Sequence, residues 1–513
     1  MNLSSLGAFL TLGLLSQLMF ANKLTAVSNE QKFLQMVPGG VVTLPMIVDI
    51  GYRFSDAIIQ LKAELEAKEL PVLMASQSTD GVLSGRLAQS ADKSQQSSPF
   101  GVEVNSAQDL NFSWQQYLST GTSVTTSLGT RKSDLNFLQP GVSGAGTYTS
   151  QLNIAVRQSL WKNRFGKVMQ ENLLSAKENQ KVIEQQYQLS LGLWLLQIEQ
   201  IYHQAWLAQN SVKYAKDRVK TQKRLLKIIK LLQKRGTAEA SDVLNVEQNL
   251  IRIEQGSRLA QKSLINVWQQ LVIVLKLPSE FLDIDPSRIP IAPSPISKSL
   301  SRYCSKDALP RMLSPDKPRF AMLDSLEKAA TLDISASENK LSPDLYLAAE
   351  IGSNGIDDDL GETIGDAMGL ANQKYALAIG IELPLGNSAA KADLVNKKKS
   401  LILAKTNLSS QKTDVRITWR TACSEVRTLK ADIEMYKKML TLNKRRSKME
   451  EGRFALGKVD AQTVILAAND VIFSQEALSR AKVGMINAVW QLKELDGEAP
   501  GYIEDAVKNS KLR

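Results

Sequence analysis

Two periodicities alternate along the chain. From Tyr375, YALAIGIELPLG puts the large apolar residues Tyr375, Leu377, Ile379, Ile381 and Leu383 at odd positions. Small or charged residues, Ala376, Ala378, Gly380 and Glu382, fall between them. A period of two with one apolar face predicts a β-strand. The pattern then changes abruptly: residues 387–451 hold neither Gly nor Pro and predict one very long helix. The same order occurs earlier. YTSQLNIAVRQSLW sets Tyr148, Leu152, Ile154, Val156 and Leu160 against Thr149, Gln151, Asn153, Arg157 and Ser159, and a Pro-free helical tract follows over 162–235. Each strand has an earlier partner. In LNFSWQQYLSTGTSVTTSLG the residues Leu110, Phe112, Trp114 and Leu118 share a face, with a Thr-Gly turn as a point of division. In PDLYLAAEIG the shared face is Leu345, Leu347, Ala349 and Ile351. This predicts about four strands per chain and helices of roughly 110 Å and roughly 100 Å at 1.5 Å per residue.

The chain is written twice. With Gly236 set on Gly457, Ala240 falls on Ala461, Val243 on Val464, Ile251 on Ile472, Ala260 on Ala481, and Ile265-Asn266 on Ile486-Asn487. Trp268 and Trp490 miss alignment by a single position. Helical patterning resumes beyond both glycines, to Leu277 and to Asp496, so each glycine predicts a reversal between antiparallel helices. Asp242 and Gln462 stand near the new helix starts. Between the copies, residues 278–318 carry eight prolines and predict a connector. The expected organisation is 1–21 signal peptide, 22–277 first repeat, 278–318 connector, 319–497 second repeat and 498–513 polar tail.

The signal peptide rests on LGAFLTLGLLSQLMFA near the N-terminus, which is short for a spanning helix. No other apolar run reaches the length of a transmembrane helix, so a membrane crossing must use strands. The formal net charge of +11 suits an acidic partner without naming one. Cys304, Cys423 and His203 are the whole supply of those residue types. Buried structural roles are expected for all three, with no metal, no cofactor and no catalytic pair. A disulfide between the cysteines is open in an exported protein, but spacing cannot establish it.

A lipid-exposed sheet must have no open edge, because unpaired backbone groups in hydrocarbon cost several kcal/mol each. Four strands cannot close a barrel, and helices near 100 Å far exceed a bilayer core of about 30 Å. An exported oligomer with a shared β-barrel and a projecting helical tube meets these constraints. The strand-to-helix exits RQSLWKNRFGK and ELPLGNSAAKA, and the reversals KRGTAEASDVL and RFALGKVDAQTVI, resemble those of the TolC-like outer-membrane efflux family over most of the chain. That resemblance implies a mainly α fold with β. It implies a homotrimer with a twelve-stranded outer-membrane barrel and a periplasmic α-helical barrel. The function implied is passive conduction as the exit duct of a tripartite efflux pump or type I secretion system. A periplasmic adaptor and an inner-membrane transporter of RND, ABC or MFS type would engage the helical tip, and no nucleic acid is expected. A non-channel coiled-coil scaffold or envelope tether would explain the helices but neither the strands nor the repeat.

The tip positions implied for adaptor docking and helix–helix seals are Arg235, Gly236, Thr237, Asp242, Val243 and Leu244, with Arg453, Phe454 and Gly457. The family's acidic constriction positions correspond to Thr463 and Leu466, leaving Asp242, Asp460 and Thr463 as constriction candidates. Six basic residues and no acidic one lie in KRLLKIIKLLQKR, including Lys223, Arg224, Lys227, Lys230 and Lys234. They predict either a solvated helix face or an electropositive periplasmic mouth for an acidic adaptor tip or anionic cargo. IDDDLGETIGD, lacking the order of a calcium loop, predicts a solvated extracellular loop. The Ser/Gln-rich residues 76–98 predict a flexible loop.

Overall fold

A computed structural model of the chain describes residues 33, 40–92, 102–137, 143–294 and 300–509. The segment read as a signal peptide lies outside them. In chain order come α1 (Leu44–Phe54), α2 (Asp56–Glu66) and α3 (Leu70–Ser76), then β1 (Val82–Asp92), β2 (Val102–Tyr117), β3 (Thr122–Phe137) and β4 (Ser143–Ser159). The helices α4 (Lys167–Lys234) and α5 (Ala240–Val274) follow, then the short α6 (Leu300–Tyr303) and α7 (Ala308–Met312) and the longer α8 (Pro318–Lys340). Last come β5 (Asp344–Asp357), α9 (Leu360–Met368), β6 (Gln373–Glu382), α10 (Ser388–Ala455), α11 (Ala461–Leu495) and α12 (Ala499–Asn509). The chain divides into two compact units, one of residues 64–186 and 318–411, the other of 1–63, 187–317 and 412–513.

The first unit is built on one antiparallel sheet whose strands lie in chain order, β1 to β6. Register aligns the apolar positions into rows. Leu83 faces Trp114, Trp114 faces Thr126, Thr126 faces Ile154, Ile154 faces Ile351, and Ile351 faces Tyr375. A parallel row runs through Val124, Val156, Ala349 and Leu377. The opposite face carries Ser84, Ser113, Ser127, Asn153, Gly352 and Lys374 in register. The apolar side is open at both edges of the sheet, where Leu83 is 74% exposed and Leu377 76%, and is covered by α9 around Ser150, Ser353 and Gly355.

Six strands therefore stand where the pattern predicted about four. The Thr-Gly turn does divide its run, with Leu118 N–H donating to Thr122 O (2.8 Å) and Gly121 N–H to Leu118 O (2.9 Å). The additional strand β1 occupies the stretch expected to be a flexible loop. Its composition is polar, but pairing with β2 supplies the ladder hydrogen bonds that its own sequence signals weakly. The acidic stretch expected as a solvated loop also orders, as α9. Asp359 caps it by accepting from Gly361 N (2.7 Å) and Glu362 N (3.1 Å), and Thr363 and Ala367 are buried.

Below the strands, carboxylates tie α8 to the first turns of the long helices. Asp333 accepts from Ser175 Oγ (2.6 Å) and Lys397 Nζ (2.8 Å). Asp393 accepts from Ser337 Oγ (2.9 Å) and pairs with Lys340 (3.3 Å). The Ser337 hydroxyl, followed by Lys340, holds the Asp393 carboxyl below its ordinary range.

The second unit has its core around Trp268, Tyr202, Leu195, Ile198, Leu271 and Ile47. Two buried side-chain donors here find backbone carbonyls, while Trp194 Nε1 and His203 Nε2 are buried without a partner among the described residues. Trp268 Nε1 donates to Phe281 O (2.9 Å) and Tyr202 Oη to Ala292 O (2.5 Å). His203 and Glu199 are both buried, with Nδ1 and Oε1 2.7 Å apart. The residues expected as a polar tail form α12, which buries Ala499, Ile503 and Ala506 in this core. Their spacing of three and four puts them on one face of the helix. Cys304 and Cys423 form a disulfide with Cα atoms 5.7 Å apart, and Trp419 Nε1 donates to Tyr303 O (2.8 Å) beside it. Asp496, buried just past α11, pairs with Arg311 (2.6 Å) and Lys317 (2.9 Å). Burial pushes its carboxyl up, but the bonds from Arg311 and Lys317 outweigh burial and hold it below the ordinary range.

Candidate functional site

The two outgoing helices end alike at the reversals. At the end of α4, Gly236 has φ of +74°, its N–H donates to Gln233 O (2.9 Å), and Thr237 N–H donates to Leu232 O (3.0 Å). At the end of α10, Gly457 has φ of +67°, its N–H donates to Phe454 O (2.9 Å), and Lys458 N–H donates to Arg453 O (2.9 Å). This pair of bonds is the Schellman cap, and it needs a left-handed residue that glycine supplies without a Cβ clash. The starts of the returning helices are each capped by a carboxylate, from the first turn in α5 and from the residue before the first turn in α11. Asp242 accepts from Glu239 N–H (3.2 Å) at the start of α5. Asp460 accepts from Thr463 N–H (2.9 Å) and Thr463 Oγ1 (2.5 Å) at the start of α11. The Thr463 hydroxyl and then its N–H hold the Asp460 carboxyl below its ordinary range, so it stands ionised at a helix N-terminus.

A buried seam joins the two hairpins. Leu225, Ile229, Val243 and Val246 from the first pack with Phe454, Ala461, Val464 and Ile465 from the second. Among the tip residues expected from sequence, Val243 and Phe454 thus lie inside the seam, 8% and 3% exposed, and face no outside partner. Arg235, Gly236, Thr237, Leu244, Arg453 and Gly457 are exposed, and Asp242 is half-buried. The constriction candidates Asp242, Asp460 and Thr463 all sit at helix starts, each engaged in a cap.

The basic residues divide into paired and unpaired. Lys223 pairs with Glu254 (2.9 Å) and Lys230 with Glu247 (2.6 Å), so their charges are largely compensated across the hairpin. Arg224, Lys227 and Lys234 are exposed, with no ion pair among the described residues. On the second hairpin, Arg446 pairs with Asp470 (2.9 Å) and Arg453 with Glu450 (3.2 Å). Lys444, Arg445 and Lys448 are exposed there too, with no ion pair among the described residues, so both hairpins contribute positive charge near the reversals.

One constellation escaped the sequence. On the polar face of the sheet, where β4 and β6 leave for their helices, Arg157 pairs with Asp344 (2.8 Å) and approaches Glu382 (4.0 Å). Its guanidinium also lies 3.7 Å from the centre of the Tyr346 ring. These residues are far apart in the chain, and only the β4–β5–β6 register brings them together.

Among the described residues no helix is long and apolar enough to cross a membrane. A two-faced sheet leading into two reversed helix pairs is the TolC-like outer-membrane channel fold, and comparison with solved structures gives the same answer. The chain superposes on the outer membrane protein VceC of Vibrio cholerae with a TM-score of 0.65 at 11% identity, covering 88% of this chain and 96% of that one. It superposes on the Campylobacter jejuni outer membrane channel CmeC with a TM-score of 0.63 at 13% identity, covering 96% and 94%. For the open state of the Neisseria gonorrhoeae outer membrane channel MtrE the values are 0.61 and 13%, covering 88% of each chain. No family model and no curated protein matches the sequence.

Proposed function

We propose that this protein is the outer-membrane exit channel of a tripartite efflux pump or type I secretion system. Copies of the chain, three on the family's pattern, close their sheets into a lipid-embedded barrel with the polar face inward. The paired helices form a tube across the periplasm. The observation that carries this reading is the combination of an apolar sheet face open at both edges with two matching helix hairpins. The match is close. Lys167 and Lys234 bound α4 as Ser388 and Ala455 bound α10, while Ala240 and Val274 bound α5 as Ala461 and Leu495 bound α11, a constant displacement of 221 positions. An internal duplication accounts for that constancy.

Conduction is passive, and gating is a separation of the hairpins at the buried seam. A periplasmic adaptor docks at the exposed residues of the reversals, and an inner-membrane transporter of RND, ABC or MFS type supplies the driving force. The unpaired charges of Lys227 and Lys234 favour an acidic adaptor tip. The test of the class is simple. The protein should fractionate with outer membranes as a heat-modifiable trimer, and its deletion should sensitise cells to exported compounds or abolish secretion of a protein cargo. Recovery as a detergent-independent soluble monomer would end the proposal. For docking, Lys227→Glu with Lys234→Glu should weaken adaptor co-purification, most strongly at low salt. Unchanged co-purification at low salt would discard the electropositive mouth.

A further inference from the structure

The sheet contributes more strands than the twelve-stranded barrel implied by family resemblance would take from each of three chains. The question is whether β1 and β2 belong to the barrel wall or decorate it. Three observations bear on this. The apolar row does not stop at β3: Phe112 and Trp114 on β2, and Leu83 on β1, continue it in register, and Leu87 stands opposite Leu110. The side chains of Leu83 and Leu87 are 74% and 79% exposed, as uncovered as Tyr375 (72%) and Leu377 (76%) at the far edge. The opposite side of β1 carries Ser84 and Arg86, in register with Ser113 and Asn111 on the polar face. So β1 faces the same two media as β6.

In hydrocarbon the free edge of β1 and the free edge of β6 each need a partner. Both strands are short and nearly equal, 11 and 10 residues. The sheet is antiparallel throughout with an even number of strands, so β1 of one copy runs antiparallel to β6 of the next when copies close a ring.

We infer that β1 pairs with β6 of a neighbouring copy, so that each subunit gives six strands to the wall and three copies close an eighteen-stranded barrel. This rests on the exit-channel reading and on its trimer. Barrel diameter grows roughly in proportion to strand number, so the outer mouth is about one and a half times as wide as a twelve-stranded one. Barrels of this size leave an aqueous channel, whereas the smallest are filled by side chains. The wider mouth suits bulky or hydrated cargo.

Cysteine crosslinking in the full-length protein in outer membranes tests the inference. The first set combines Ser84→Cys or Arg86→Cys on β1 with Ala376→Cys or Ala378→Cys on β6, all on the polar face. The second set combines Ser127→Cys or Gly129→Cys on β3 with the same β6 positions. The expected result is a non-reducing ladder ending at three chains from the first set, and monomer from the second. A ladder from the β3 set alone would place β1 and β2 outside the wall and overturn the inference while leaving the channel intact. A trimer on native gels with no ladder from either set would overturn it too. A monomer in every assay would overturn both the inference and the channel reading. Heat-modifiability of each variant before oxidation establishes that it has assembled, and a map of the barrel cross-section would count the strands directly.

Discussion

Phe454→Ala addresses the proposed gate directly. The ring is 3% exposed and sits among Leu225, Ile229, Val243, Val246, Ala461, Val464 and Ile465, residues of both hairpins. Truncating a buried Phe to Ala typically costs about 3–5 kcal/mol, the transfer term plus the cavity left behind. If opening separates the hairpins at this seam, much of that loss falls on the closed state and little on the open one. Each 1.4 kcal/mol is tenfold in an equilibrium, so a differential near 3 kcal/mol raises the open population by about a hundredfold. Single-channel recordings in planar bilayers should show long open dwell times without adaptor, and cells should become sensitive to large antibiotics that the intact channel excludes. Phe454→Leu, which keeps most of the apolar volume, should shift dwell times far less. If Phe454→Ala lowers the melting temperature while conductance is unchanged, the two hairpins move as one body and the seam is not the gate.

Three further outcomes are expected. If the apolar face of the sheet meets lipid as proposed, Leu377→Arg puts a charge there and should cost about 2–4 kcal/mol near the bilayer midplane; it should cut heat-modifiable assembly, whereas the adjacent Ala378→Arg on the polar face should assemble normally and alter ion selectivity. Gly457→Val forces a β-branched residue into the left-handed region, and with a cost of at least about 1–2 kcal/mol it should raise hydrogen exchange at the end of α10 more than Gly457→Asn does. Asp496 titrates below its ordinary range when folded, so its contribution to stability is present above the unfolded carboxylate pKa and is lost as pH falls through the folded value. The melting temperature should therefore drop below about pH 4, and Asp496→Asn should flatten that drop. At neutral pH the same variant should cost somewhat less than the roughly 3–5 kcal/mol of a fully buried pair, since Arg311 and Lys317 keep part of their solvent.

What could be read in the sequence follows from where the signal is local. The long helices declare themselves by the absence of Gly and Pro, and the reversals by single glycines that the Schellman bonds require. The strand from Gln373 to Glu382 is legible because large apolar and small or charged residues alternate along it without a break. β1 was hidden because Gly85 and Gln89 interrupt its apolar side and its partner strand supplies the order. The sequence VLSGRLAQS does hold one clue, Leu83 and Leu87 four apart, which two equally spaced apolar residues opposite, Trp114 and Leu110, would have turned into a strand. α9 was masked by acidic residues whose charge suggested a loop, although Asp359 is there to cap a helix. The burial of Val243 and Phe454 could not be seen from one hairpin, because each completes its environment only against the other. The Arg157 cluster and the cysteine pairing are likewise products of register and packing between segments more than a hundred positions apart.

The bond between Cys304 and Cys423 spans 119 positions, fastening the proline-rich stretch between the halves to the interior of the second long helix. On the exit-channel reading, it closes only once residue 423 has left the reducing cytosol and reached the oxidising side of the inner membrane. The linkage would then be a record of passage: chains that never leave the cell interior would carry two free thiols at these sites, and a thiol count would tell exported chains from stalled ones.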